Sequence, residues 1–287
     1  MPDVSLRARA TGWARPVRLK ARRATARLRV LPDFVIIGAQ KAVTTSLYAY
    51  LCAHPDVLAA GRKEVHFFDV NYADGSAWYR SMFPLAASRA LARRGGRRVL
   101  AGEASPYYLF HPLASERAAA LIPQAKLIVL LRDPVERAWS HYRHEVAKGR
   151  EPLSFEDALA AEADRLAGAD AAFRTGSAAA AHPGHRYHSY VARGRYVEQL
   201  PAWQRHYPSE QLLVLRAEDL FERPQQVWDE TVAFLGLRPM APPAFDVHNP
   251  GAGSSMAEAT RAMLAETFRR PNAELAELLG RDLGWSS

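Results

Sequence analysis

The chain has 287 residues, 48% of them apolar, and a formal net charge of +8. That is material for one large buried core, so a single α/β domain with insertions is the expected organisation. The charge resembles that of a nucleic-acid binder only until it is located. Residues 1–30 hold nine Lys/Arg and one acid, while residues 31–287 hold 29 basic and 29 acidic residues. The body is electrically balanced, which argues against nucleic acid as a partner, and the excess sits in an arginine-rich N-terminal tail.

Residues 1–30 are expected to be a disordered, solvated tail, with contact to an anionic membrane surface as the alternative. No secretory apolar segment is visible, and no run approaches the roughly 18 apolar residues that span a bilayer, so a cytoplasmic location is expected. The single cysteine, Cys52, excludes an internal disulfide and is expected to pack within a helix. In chain order, the spacing predicts a strand over Phe34–Gly38 and a helix over Thr44–His54, then a weaker strand over Val99–Gly102. A strand over Lys126–Leu131 follows, with a helix over Pro134–Lys148 that carries its proline just inside the start. Residues 151–190 are alanine-rich with a Gly/Pro/His-rich exit, and are expected to leave the sheet as a helix plus a mobile loop. A helix over Tyr196–Tyr207, a strand over Leu212–Leu215, a helix over Gln225–Leu235 capped by Gly236, and a last helix near Ala257–Leu279 complete the pattern. Strands alternating with helices imply a central parallel sheet with helices on both faces.

Residues 34–48 read FVIIGAQKAVTTSLY. An apolar β-branched run ends at Gly38, and Thr44, Thr45 and Ser46 open a helix. The first turn of a helix has unpaired N–H groups at the positive end of its dipole, so an anion docks there readily. The three hydroxyls add donors and Lys41 adds a charge. Nucleotide triphosphatases need Gly-x4-Gly-Lys-Ser/Thr, with lysine directly before the magnesium-binding hydroxyl. Here Lys41 stands three residues before Thr44, so the pattern points to an anionic nucleotide held without that magnesium ligand. A second strand-to-helix passage, LIVLLRDPVERAWSHYRHE (127–145), puts Arg132 at the carboxyl end of a strand and Ser140 about two turns into the helix. Arginine grips phosphate bidentately, although local pairing with Asp133 or Glu136 is an equal reading for this residue taken alone. Two anion grips on two strands suit a nucleotide with phosphates at both its 5′ and 3′ positions.

These segments resemble the sulfotransferases that use 3′-phosphoadenosine 5′-phosphosulfate (PAPS), especially the heparan sulfate sulfotransferases and their bacterial relatives. GAQKAVTTSLYAYLCAHPDV is similar to that family's 5′-phosphosulfate loop, and LLRDPVERAWSHY to its 3′-phosphate motif. KEVHFFD (63–69) is similar to the segment carrying the catalytic glutamate, and GEASPYYL (102–109) to another recurrent segment. The likeness spans roughly residues 32–285 and implies a P-loop-NTPase-like fold over residues 31–287. It also implies that the 151–190 excursion lies near the acceptor site. By this resemblance Glu64 is the base, Lys41 meets charge on the leaving oxygen, and His66 assists. Lys41, Ala42, Val43, Thr44, Thr45 and Ser46 would cradle the 5′ end, Arg132 and Ser140 would hold the 3′-phosphate, and Tyr196 would lie near the nucleotide, with no metal required. Apolar neighbours Val65, Phe67 and Phe68 are expected to raise the Glu64 pKa, and a strand would put His66 on the same face as Glu64. His182, His185 and His188 lack acidic or cysteine partners and are expected to be incidental.

The sequence also departs from the family pattern. Valine stands at 43 where the loop has glycine, and a positive φ there would be strained. Ala104 replaces a lysine, and NPGAGSSM (249–256) replaces a basic loop, both against a polyanionic acceptor. The acceptor is expected to be a hydroxyl, or secondarily an amine, of a glycan, lipid or small metabolite. The alternatives are a nucleotide-binding relative with weak catalysis and a P-loop-type kinase.

Overall fold

The computed structural model describes residues 21–94, 96–176, 182–242 and 255–285. Five strands, β1 (Phe34–Gly38), β2 (Val57–Ala59), β3 (Leu100–Ala104), β4 (Lys126–Leu131) and β5 (Leu212–Arg216), form one sheet in the order β2-β3-β1-β4-β5. All four pairings are parallel. The fold expected from the alternating pattern is therefore present. Every residue of β1 and β3 is buried, as central strands covered on both faces must be; β1 accordingly runs apolar without alternation, and β3 does so except for one buried charge, Glu103.

The helices fall in the connections. They are α1 (Thr44–Ala53), α2 (Gly75–Ser81), α3 (Ala86–Ala92), α4 (Ala114–Leu121), α5 (Pro134–Ala147), α6 (Phe155–Ala160), α7 (Glu162–Leu166), α8 (Ala169–Thr175), α9 (Pro183–Tyr187), α10 (Tyr196–Gln204), α11 (Asp219–Glu222), α12 (Pro224–Leu235) and α13 (Glu258–Leu279). Pro134 occupies the first turn of α5, where its missing N–H costs nothing, and the Asp133 carboxylate caps that turn by accepting from the Val135 N–H at 2.8 Å. Gly236 closes α12 at φ 66°, a left-handed position that glycine takes without a Cβ penalty. Gly38 meets a different demand, since a Cβ there would stand 2.5 Å from the Cβ of Leu109.

Two expectations are corrected here. Residues 21–30, assigned from charge to the disordered tail, pack on the body. Arg22 donates to the Ser81 carbonyl at 2.5 Å, Arg29 donates to the Phe83 carbonyl at 2.7 Å, and Ala26 is buried. Guanidinium groups serve there as main-chain ties rather than as a free basic surface. Residues 1–20 lie outside the described residues. The 151–190 excursion is four short helices, α6 to α9, instead of one. They cover a second core in which Phe155, Ala158 and Tyr190 meet Val135, Ala138, Leu264 and Phe268. Most of its small-residue exit, residues 177–181, lies outside the described residues, as do 249–254 of the segment that replaces the basic loop. Among the described residues no helix is long and apolar enough to cross a membrane.

Candidate active site

The carboxyl ends of β1 and β4 are neighbours in the sheet, so the two anion motifs arrive side by side. After Gly38 the chain turns through residues 39–43 into α1. Thr44 and Ser46 are buried against the loop, Ala42 is wholly buried beneath it, and Thr45 is exposed. Lys41 adopts φ 73° and Val43 φ 49°, so the valine does stand in the left-handed region that glycine would fill without strain. Burial lowers the Lys41 pKa, the Arg132 charge lowers it further, and Glu145 and Glu64 pull the other way. Lys41 thus sits in one electrostatic neighbourhood with a second cation and two carboxylates.

Arg132 is the first residue past β4. Its Nη1 donates to the Lys41 carbonyl at 3.2 Å, which ties the second grip to the first loop. Glu136 is a loose partner at 3.9 Å and is itself engaged by Arg261 at 2.7 Å. Ser140 follows two turns along α5 and is half-buried. Tyr196 is buried and donates its hydroxyl to the Arg132 carbonyl at 2.9 Å. It therefore braces the main chain behind the arginine.

The third component is the turn over residues 63–69, and it is not a strand. Glu64 at φ 51° and His66 at φ 54° are left-handed, with buried Val65 between them. Together with Lys41 and Val43 these are the only non-glycine residues with positive φ among the described residues, and all four belong to this site. Backbone held in sparsely populated conformations at one place marks a site over-determined by its surroundings. The double left-handed turn brings the Glu64 and His66 side chains together, where the strand geometry had been the expected cause. His66 Nε2 stands 3.4 Å from Glu64 Oε2, and its Nδ1 is 2.7 Å from Asp69 Oδ2.

The expected raised pKa of Glu64 is also corrected. Val65, Phe67 and Phe68 point into the core, with Phe67 stacked on Tyr79 at 4.5 Å between ring centroids. They give Glu64 no apolar shell. Its pKa is lowered, chiefly by the hydrogen bond from His66, against a smaller opposing effect of burial. For His66 burial works downward, but the bonds to Asp69 and Glu64 prevail and lift its pKa to about 9. At neutral pH the site therefore holds an ionised Glu64 beside an imidazolium backed by buried Asp69.

Glu64 and His66 open on a cleft of about 170 Å³ shared with Gln40 of the anion loop, Tyr107, His144, Glu145, Arg150, Arg186, Tyr187 and Arg193. The turn, the 102–109 segment and the 151–190 excursion thus meet around one space. His144 is kept neutral, its pKa held down to about 4 by burial and by Lys41. Glu145 is buried, with Arg150 Nε at 2.7 Å. The guanidinium of Arg193 lies 4.7 Å from the Tyr107 ring centroid. Asp69, His144, Glu145 and Arg193 escaped the sequence reading. Asp69 lies three residues after His66, and His144 lies one turn beyond Ser140 on the same helix, so spacing was the signal that could have found both. The three histidines expected to be incidental do separate structural work. His182 accepts from the His185 N–H at 3.3 Å, His185 is hydrogen-bonded to the Tyr107 hydroxyl at 2.7 Å, and His188 to the Arg150 carbonyl at 3.0 Å.

A helix N-terminus with a lysine beside it, a second cation at the neighbouring strand end and a carboxylate on the adjoining cleft suit a group-transfer enzyme that handles an anionic donor. A sulfotransferase-domain family model matches residues 31–245, and the chain belongs to that family. It is 27% identical to the membrane-associated sulfotransferase kil1 of Dictyostelium discoideum, over 91% of this chain and 68% of the relative. It is 30% identical to the mouse heparan sulfate glucosamine 3-O-sulfotransferase 3B1, over 89% of this chain and 65% of the relative. The chain thus spans about two thirds of the length of these relatives. A crystal structure of a sulfotransferase from Alicyclobacillus acidocaldarius superposes with a TM-score of 0.66 at 31% identity, covering 88% of this chain and 97% of that one. The protein is a sulfotransferase.

Proposed function

We propose that the protein moves a sulfuryl group from PAPS to a hydroxyl of a glycan, lipid or small metabolite, with Glu64 as the general base. The observation that carries this reading is that ionised Glu64 and Gln40 of the anion loop line the same cleft, with Lys41 beside them. The donor set fits a nucleotide with two anionic ends. Lys41, the amides of the first turn of α1, and Thr44 and Ser46 suit the phosphosulfate end, while Arg132 with Ser140 suits the 3′-phosphate. Gln40 Oε1 is buried with no hydrogen-bond partner among the described residues, a polar atom left over for a bound group.

PAPS supplies an activated sulfuryl group whose bond to the phosphate oxygen breaks as the acceptor oxygen bonds to sulfur. Glu64 takes the acceptor's proton, and the His66 imidazolium with Asp69 fixes the carboxylate's direction. Lys41 meets the charge that develops on the leaving phosphate oxygen. Charge neutralisation by Lys41, Arg132 and helix amides is assigned without a metal ion, as in-line transfers that rest on positioning and electrostatics allow. The D. discoideum relative is named as membrane-associated, and the five Lys/Arg among residues 1–20 support a peripheral membrane contact here.

A ligand that binds only the folded state raises its melting temperature, by about 2.7 kcal/mol of stability at a hundredfold excess over Kd. Adenosine 3′,5′-bisphosphate is expected to raise the melting temperature more than ATP with magnesium does. A larger shift with ATP and magnesium would favour phosphoryl transfer and overturn the reading.

A further inference from the structure

The turn that presents Glu64 and His66 has two left-handed residues and no glycine, so something must hold it. Its amides show what does. The His66 N–H donates to Ser105 Oγ at 3.0 Å and the Phe67 N–H donates to the Tyr108 hydroxyl at 2.7 Å. Both hydroxyls converge on one carboxylate. Ser105 donates to Glu103 Oε2 at 2.7 Å and Tyr108 donates to Glu103 Oε1 at 3.1 Å, with Tyr79 as a third donor at 2.7 Å. A main-chain amide can only donate, so each hydroxyl oxygen is committed to the turn and each hydroxyl proton is left for Glu103. The chain of bonds thus runs from the turn amides through Ser105 and Tyr108 to the Glu103 carboxyl.

Glu103 is wholly buried, and leaving such a carboxyl in a core is costly unless its bonds are all made. It stands on β3 paired with Val35 of β1, and the Ser105 N–H donates to the Ile36 carbonyl at 3.0 Å. β1 is the strand that delivers the anion loop. The relay therefore references the base to the same strand that sets the position of Lys41.

We propose that Glu103 is a positioning residue for the transfer reaction: through Ser105 and Tyr108 it clamps the Glu64–His66 turn against the strand that carries the anion loop. The proposal rests on Glu64 being the base. It goes beyond that reading in naming what holds the base at its working distance from the donor.

The relay contains its own control. Tyr79 bonds to Glu103 but not to the turn, so Tyr79→Phe removes a buried hydrogen bond without cutting the relay. Ser105→Ala and Tyr108→Phe each cut one arm, and Glu103→Gln puts an amide nitrogen where one hydroxyl needs an acceptor. The wild type and these variants are compared for kcat and the KM for PAPS, with the acceptor the wild type uses fastest from a panel of sugars, phenols and lipids. Melting temperature with and without adenosine 3′,5′-bisphosphate is measured alongside, and His66 is titrated by NMR.

Ser105→Ala, Tyr108→Phe and Glu103→Gln are expected to lose about 10- to 100-fold in kcat, the scale of a misplacement on the order of 1 Å. The KM for PAPS and the bisphosphate-induced shift stay at wild-type values, and the His66 pKa falls from its raised position. Tyr79→Phe loses thermal stability yet keeps wild-type kcat and His66 titration. Combining Glu103→Gln with Ser105→Ala costs no more kcat than the worse single change, because both cut one chain. Loss of kcat in step with melting temperature across all variants, Tyr79→Phe included, would reduce Glu103 to a core residue and overturn the proposal. A wild type that transfers no sulfuryl group would count against the transfer reading instead. The clamp then stands or falls on whether the His66 titration moves in Ser105→Ala and not in Tyr79→Phe.

Discussion

His66 joins two carboxylates, with Asp69 Oδ2 2.7 Å from its Nδ1 and Glu64 Oε2 3.4 Å from its Nε2. The imidazole is a charged bridge whose proton is stabilised from both sides, and the stability of the protein should report it. The His66 pKa is raised from 6.5 to about 9. Below about pH 6.5 folded and unfolded chains both hold the proton, and the stabilisation is complete. Between 6.5 and about 9 only the folded chain holds it, so stability falls as pH rises, by about 3 kcal/mol in all. Glu64 acts in the opposite sense. Its depressed pKa stabilises the fold above the ordinary 4.5 and that contribution is lost as pH falls through the lower folded value. Urea midpoints measured from pH 6 to pH 9.5 are expected to decline in the wild type and to flatten in His66→Gln. Equal slopes in the two proteins would show that His66 holds no raised pKa.

Tyr196 and Arg132 separate bracing from contact. Removing the Tyr196 hydroxyl leaves the Arg132 carbonyl without that donor, a loss of about 1–3 kcal/mol in stability. Tyr196→Phe is expected to bind adenosine 3′,5′-bisphosphate moderately less tightly, and Arg132→Ala far less tightly, by isothermal titration. If Tyr196→Phe weakens binding more than Arg132→Ala, the tyrosine touches the nucleotide itself.

Val43 holds the left-handed position that ends the anion loop, where a side chain bearing a Cβ is strained by about 1–2 kcal/mol. Val43→Gly removes that strain and lets ligand approach the backbone more closely, while giving up the packing of a half-buried valine. The expected outcome is a larger bisphosphate-induced melting shift than in the wild type. An unchanged or smaller shift would mean that the loop is already shaped for its ligand with valine in place.

Gly38→Ala tests the meeting of β1 with the 102–109 segment. Its new methyl would stand 2.5 Å from the Cβ of Leu109, closer than packed carbons approach, so backbone must move. Overpacking of this kind costs about 1–3 kcal/mol. Thermal unfolding is expected to show the loss, together with a weaker bisphosphate shift because the anion loop begins at the next residue. Wild-type values for both would contradict the packing described.

The strands Phe34–Gly38 and Lys126–Leu131 were legible because central parallel strands are apolar on both faces, so the residues announce themselves. Helix α5 was legible through Asp133 and Pro134 at its start. The strand Val57–Ala59 was not, being three residues long with an exposed end, and α2 and α3 were missed because each is a seven-residue helix without a side-chain cap. Lys41, Arg132 and Ser140 were singled out as types in a pattern, and Glu64 through the family resemblance. Their arrangement was hidden for a different reason. Four residues at positive φ, none of them glycine, break the local rule from which strand and turn are inferred, and the turn at Glu64 was expected to be a strand for that reason. The groups that hold it, Ser105 and Tyr108, lie 39 and 41 residues away from the amides they accept. Local pattern carries no information about such partners.

The central claim is that Glu64 is the base for sulfuryl transfer and not a binding residue. The most direct measurement follows radiolabelled sulfuryl from PAPS into acceptor for the wild type and for Glu64→Gln, with the bisphosphate-induced melting shift recorded on the same two proteins. Glu64→Gln should lose transfer by at least about 100-fold, in keeping with the loss of a general base, and should keep the full melting shift. Transfer at the wild-type rate in Glu64→Gln would contradict the account.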